Sequence, residues 1–361
     1  MGNETASPSN AKIGEFQGLR AVALAGIIFY HYGNTGLAMY AVWGVSLFFM
    51  LSGYLNGLSW ANGKQPHRDM KSSVSYMLRH IKKLYLLHII MTVASIPVSG
   101  ILPAIRTNGA KELIFWGIVF FMNVTLTKSL YPKYYWGYNG VSWFLSTYAA
   151  LCLLTPSLLH GTARLLKNQK LRRAVKVMAA IFALQFVYCF LIGRTKLVTE
   201  YWVYIFPLAR VGEYVIGMIA GMISFKLPEG RKYGLIGVIA GLWIAVLMFC
   251  VPMPEWLFRS IVWIVPNVLL LWGIHRSQGF LSRALSCRLL VILGDCSANM
   301  YLIHQVVYGY FFYYGLMEGP AGRRIAVMLL NYVLTFVLAA GFQILMKRWA
   351  ERKKYIKKME D

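Results

Sequence analysis

The chain has 361 residues, 58% of them hydrophobic and only 14% charged, with a formal net charge of +24. A soluble domain carries about a quarter charged residues. This composition therefore excludes an ordinary soluble protein, and apolar runs of roughly 18–25 residues have the length that crosses a hydrocarbon core. The basic excess would suit a nucleic-acid binder. Most of the Lys and Arg, however, fall in alternate loops and the C-terminal tail, which is the positive-inside pattern, so no nucleic-acid partner is expected. Cysteines 152, 189, 250, 287 and 296 form no CxxC pair. They read as small core hydrophobes, with no disulfide framework and no metal site. Met1–Asn10 is polar and lacks the cationic start of a signal peptide.

In chain order, spans are predicted at 17–35, 43–60, 84–104, 141–159, 177–194, 203–225, 234–251, 257–275, 290–314 and 323–346. The expected fold is all-α: a polytopic membrane protein of about ten transmembrane helices around a central polar cavity. It forms a single domain over 1–346, with a basic cytosolic tail over 347–361. The charge asymmetry predicts that both termini are cytosolic. The apolar stretch 112–127 is short, and if it crossed, the basic loop 160–176 would face outward. It is therefore expected to be a re-entrant or interfacial helix on the outer side. The aromatic, turn-rich Tyr131–Gly140 follows it, and reads either as an interfacial belt or as a lip that binds an acceptor. The basic tail suits anionic lipid.

Polar residues at membrane depth carry the functional argument, because lipid tolerates them poorly. Arg20 and His31 share the first span, about 16 Å apart along a helix axis. Ser52 and Tyr54 lie in the second span, Trp143 opens the fourth, Arg210 and Glu213 share the sixth, and Tyr301 and His304 share the ninth. The economical arrangement is one polar cavity near the midplane. Structural readings exist for most of these residues. Arg210/Glu213 and Tyr301/His304 are i,i+3 pairs, Ser52-Gly53 is a small-residue helix contact, and Arg20 could snorkel to headgroups. An isolated buried His31 is the costliest to account for in that way. As a general base, His31 suits hydroxyl activation. Arg20, with Arg79, Lys82 and Lys83 at the cytosolic mouth, suits the phosphates of a donor with a long thin arm. Acyl-CoA fits that description.

These residues also carry a resemblance. Arg20 and His31, Phe48-Phe-Met-Leu-Ser-Gly53, Trp143-Phe-Leu, Phe206-Pro-Leu-Ala-Arg210 with Glu213, and Tyr301-Leu-Ile-His304 resemble the motifs of the acyltransferase 3 family of integral membrane acyltransferases, along almost the whole chain. The chain departs at Gln17, where many members have Asp, at Ser46, where many have Asp, and at Thr147 or Tyr148, where many have Glu; Glu15 could replace the missing brace on Arg20. The resemblance implies a cytosolic acyl-CoA donor, most often acetyl-CoA, and a hydroxyl acceptor, often a glycan. It implies that His31 and Arg20 are catalytic, that Arg210 contributes to donor binding or oxyanion stabilisation, and that Tyr301 and His304 shape the cavity. It also implies a bacterial cytoplasmic membrane, with the bilayer and glycan as partners and a homodimer or an envelope assembly as options. The alternatives are a transporter or glycan flippase with a midplane polar site, and a non-catalytic scaffold.

Overall fold

In lipid an apolar chain has to satisfy its backbone internally, and long helices do so residue by residue. In a computed structural model, which describes residues 13–32, 38–166, 170–227, 229–230, 233–277 and 279–360, fourteen helices follow one another. They are α1 (Gly14–His31), α2 (Ala38–Ala61), α3 (Met70–Ala94), α4 (Ile101–Asn108), α5 (Ala110–Val124), α6 (Trp143–Leu166) and α7 (Leu171–Gly193), then α8 (Leu208–Ile223), α9 (Gly234–Cys250), α10 (Glu255–Phe258), α11 (Ile264–His275), α12 (Phe280–Leu285), α13 (Arg288–Tyr313) and α14 (Ala321–Glu360). No strand occurs among the described residues. Among them, 6 helical stretches are long and apolar enough to cross a membrane; α9 and α11 are shorter apolar helices. The chain is an all-α polytopic membrane protein. The expected spans correspond to α1, α2, α3, α6, α7, α8, α9, α11, α13 and α14. The polar amino terminus, the end of the first expected span and parts of the basic loops 160–176, 226–233 and 275–289 lie outside the described residues.

Three boundaries differ from expectation. The third helix is α3, Met70–Ala94, rather than 84–104. The Asp69 carboxylate caps it by accepting from the Ser72 N–H at 2.8 Å, and Ile96-Pro-Val98 ends it in a 3-10 turn. Residues 101–108 form the separate α4. The first helix ends at His31, so the imidazole sits at the helix terminus and not at its middle. The last helix continues past the expected span end at 346, because α14 runs to Glu360. The 15 residues of α5 span about 22 Å, less than a hydrocarbon core. It pairs with α4.

Burial separates the core helices from the lipid-facing ones. The span that contains α8 is 83% buried, against 11% for α7 and 17% for α14. Two small-residue seams hold the centre. On α2, a Cβ at Gly53 or Gly57 would lie 2.0 Å or less from the Tyr214 or Met218 carbonyl of α8. On α8, a Cβ at Gly217 or Gly221 would strike the Met50 or Tyr54 carbonyl of α2. Residue numbers rise together across this contact, so the helices are parallel and their backbones touch, as small residues permit in membranes. The second seam joins α1 to the chain's later half. A Cβ at Gly18 would meet the Leu285 carbonyl, and one at Gly294 the Gln17 carbonyl.

Candidate active site

The α1–α13 seam sets the site. These helices also run parallel: Gln17 packs on Gly294, and at the other end the rings of His31 and His304 lie 5.2 Å apart. We call the membrane side where α1 begins the near side, and the side where it ends the far side. His304 is fully buried, and its Nδ1 lies 2.7 Å from the Tyr301 carbonyl. A carbonyl only accepts, so Nδ1 carries the proton and Nε2 presents a lone pair. That Nε2 is buried with no hydrogen-bond partner among the described residues. His31 is partly exposed. A lone-pair nitrogen beside a second imidazole is equipped to accept a proton from a hydroxyl.

Aromatic contacts connect the histidines to the sixth-span charges. The Tyr301 ring lies tilted at 5.6 Å from that of His304 and at 5.1 Å from that of Phe144. Trp143, the neighbour of Phe144, lies 5.0 Å from Tyr204, and the Arg210 guanidinium lies 4.5 Å above that ring. Arg210 and Glu213 are fully buried, with Nη1 to Oε1 at 2.8 Å. The guanidinium is otherwise spent on the backbone. Nε donates to the Tyr204 carbonyl at 2.7 Å and Nη2 to the Arg259 carbonyl at 3.3 Å. The first of these carbonyls belongs to a π turn, Glu200–Ile205, just before Pro207 and α8, and Arg210 supplies a donor where the ladder is broken. Ser46, where the resemblance puts Asp, donates its hydroxyl to Glu213 at 2.6 Å. Arg210, Glu213 and Ser46 thus close a buried network between α2 and α8.

Arg20 lies in a second group, nearer the start of α1. Its Nη1 is 3.5 Å from Gln17 Oε1, and its Nε is buried without a hydrogen-bond partner among the described residues. Tyr148 of α6 and Asp295 of α13 are its electrostatic neighbours, and Ser52 lies beside Tyr148. Glu15 turns instead to Ser286, at 3.5 Å. The carboxylate near Arg20 therefore comes from α13. Sequence reasoning missed Asp295, although Gly294 beside it was a signal of close helix approach.

The remaining candidates lie apart from the histidines. The Tyr54 hydroxyl is 2.7 Å from His275 Nδ1 and its ring packs on Phe16 at 5.5 Å, towards the near side. Arg79, Lys82 and Lys83 are exposed on α3, and Arg79 donates to Ser75 Oγ at 3.1 Å. Thr147 donates to the Ile205 carbonyl at 2.7 Å, a structural bond. The polar groups of α1, α6 and α13 are brought together; Arg79, Lys82 and Lys83 of α3 are not among them.

No curated protein and no solved structure matches the chain. A family model for the acyltransferase domain covers residues 13–346, from just before α1 well into α14, and so takes in both the histidine pair and the Arg20 group. The chain belongs to this acyltransferase family and is a membrane enzyme that transfers acyl groups.

Proposed function

We propose that the enzyme takes an acyl group, in the simplest case acetyl, from acyl-CoA at the near, cytosolic side and passes it to a hydroxyl of a glycan or related surface acceptor. The observation that carries this reading is the unpartnered Nε2 of His304, in a ring 5.2 Å from that of His31. One imidazole takes the acceptor proton as the hydroxyl oxygen attacks the thioester carbon. The C–O bond forms, the C–S bond breaks, and the leaving thiolate receives that proton, so that free CoA and an ester result. Arg20 supports the donor end, because its Nε has no hydrogen-bond partner among the described residues and a guanidinium grips phosphate. Its distance from His31, about 16 Å along α1, suits a donor with phosphates at one end and a thioester at the other. Arg210 is committed to the Tyr204 and Arg259 carbonyls and to Glu213, so donor recognition rests on Arg20.

The test is transfer of labelled acetyl from acetyl-CoA by membranes that contain the protein, read as label in glycan. His31→Ala and His304→Ala should each lower transfer by at least about 100-fold, the low end for lost acid–base catalysis, with expression kept. Transfer at the wild-type rate in both variants would remove the histidines from the mechanism.

A further inference from the structure

A cavity of about 480 Å³ opens on the far side between α5, the 131–139 loop and α13. It lies within the range of small-molecule sites. Phe115, Trp116, Tyr134, Trp136 and Tyr138 line it, and the rim is open, with Trp136 44% exposed. Two buried polar atoms on its lining residues have no hydrogen-bond partner among the described residues: Trp116 Nε1, a donor, and Asn139 Oδ1, an acceptor. The Asn139 assignment is secure, because Nδ2 faces the Leu302 carbonyl at 2.8 Å and a carbonyl only accepts. Leaving one donor and one acceptor unpaired is costly, and a ligand rich in hydroxyls satisfies both.

The loop that forms the cavity is held under strain. Among the described residues the only non-glycine positive φ angles are at Leu126 (56°), shortly before the loop, and at Tyr138 (60°), within it. Such strain persists where surroundings over-determine it. Here a fully buried lysine does so. Lys128 Nζ lies 2.9 Å from the Gly137 carbonyl, 3.1 Å from the Asn139 carbonyl, 2.9 Å from Ser142 Oγ and 3.2 Å from Asn123 Oδ1. The Tyr138 hydroxyl donates to the Trp116 carbonyl at 3.0 Å. The α13 wall includes Gln305, the residue after His304, and Gln305 Oε1 accepts from the Val141 N–H at 2.6 Å.

We infer that this cavity is the acceptor subsite and binds a pyranose ring of a saccharide. The aromatic side chains cover the apolar C–H face of the ring, and Trp116 Nε1 and Asn139 Oδ1 bond its hydroxyls. On α13 the cavity wall begins at Gln305, the residue that follows His304. The inference rests on the acceptor being a glycan.

The test uses the full chain in lipid nanodiscs and saturation-transfer NMR with the methyl pyranosides of glucose, galactose, mannose and N-acetylglucosamine, with glycerol as control. At least one pyranoside should receive saturation, most strongly at ring C–H protons. Trp116→Phe, which removes the N–H donor and shrinks the indole to a phenyl ring, and Trp136→Ala, at the exposed rim, should each weaken binding by about tenfold, about one hydrogen bond or stacking contact. His31→Ala should bind as the wild type does. No pyranoside signal above glycerol, or a signal unchanged in both tryptophan variants, overturns the subsite. Pyranoside binding without any acetyl transfer in membranes leaves the subsite standing and defeats the acyl-CoA reading. Transfer at the wild-type rate in both tryptophan variants, without pyranoside binding, does the reverse.

Discussion

Arg20 and Lys128 are two cationic side chains whose surroundings differ. The Nε of Arg20 is buried without a hydrogen-bond partner among the described residues, beside Gln17 and near Asp295, which leaves donor capacity for a ligand. Arg20→Lys keeps the charge and loses the planar fork. It should raise the KM for acetyl-CoA about tenfold, the loss of one charge-assisted contact, with kcat little changed; a fall in kcat at constant KM would place Arg20 in the chemical step instead. Lys128 is saturated by four acceptors. Burial away from any carboxylate draws its pKa down from 10.5 to about 7. Between those values the unfolded chain binds more protons than the folded one, so this residue makes stability rise with pH across that window and leaves it level below. Thermal unfolding between pH 6 and pH 10 should show the rise, and Lys128→Met should lose it and loosen the 126–142 segment to hydrogen exchange. A buried lysine in an aromatic loop was not legible in the sequence, because its four partners are mostly backbone carbonyls and neutral side chains. His31 stood out in the sequence as an imidazole within an apolar run; the structure puts it at the end of α1, partly exposed, with its ring 5.2 Å from that of His304.

At the scale of elements, α2 and α8 depend on paired glycines. Gly53-x-x-x-Gly57 and Gly217-x-x-x-Gly221 place four backbone contacts on one seam. Gly57→Leu puts its Cβ about 1.9 Å from the Met218 carbonyl and has to separate the helices. Overpacking of this kind costs about 1–3 kcal/mol or more, so the variant should unfold at lower temperature in detergent and lose transfer. Gly241→Ala meets nothing within 4 Å and should be neutral, which controls for the loss of a glycine as such. The small-residue role of Gly53 was readable from Ser52-Gly53, but its partner helix was not, because spacing on one helix says nothing about which neighbour it faces. The third helix was misplaced for a different reason. Arg79, Lys82 and Lys83 depress hydropathy within α3 and push an apparent span towards 104, although Asp69 with Ser72 is a helix cap visible in the sequence.

For the whole molecule, charge asymmetry and apolar length made the class legible, while the division of the polar residues into a far-side histidine pair and an Arg20 group nearer the start of α1 required coordinates. The direction of acyl transfer depends on orientation, and two native thiols report on it. Cys250 and Cys287 are exposed, whereas Cys152, Cys189 and Cys296 are buried. Cys287 precedes α13 on the near side, where the neighbouring Ser286 meets Gly14 at the start of α1. Cys250 ends α9, whose first residue, Gly234, packs on Ser277, so its 17 residues carry the thiol about 25 Å towards the far side. With the near side cytosolic, a membrane-impermeant maleimide applied to intact cells should label Cys250 and spare Cys287, and permeabilised cells should label both. Cys250→Ser and Cys287→Ser assign the bands. Labelling of Cys287 alone in intact cells would invert the protein, place Arg20 outside, and remove cytosolic acyl-CoA as the donor it could meet.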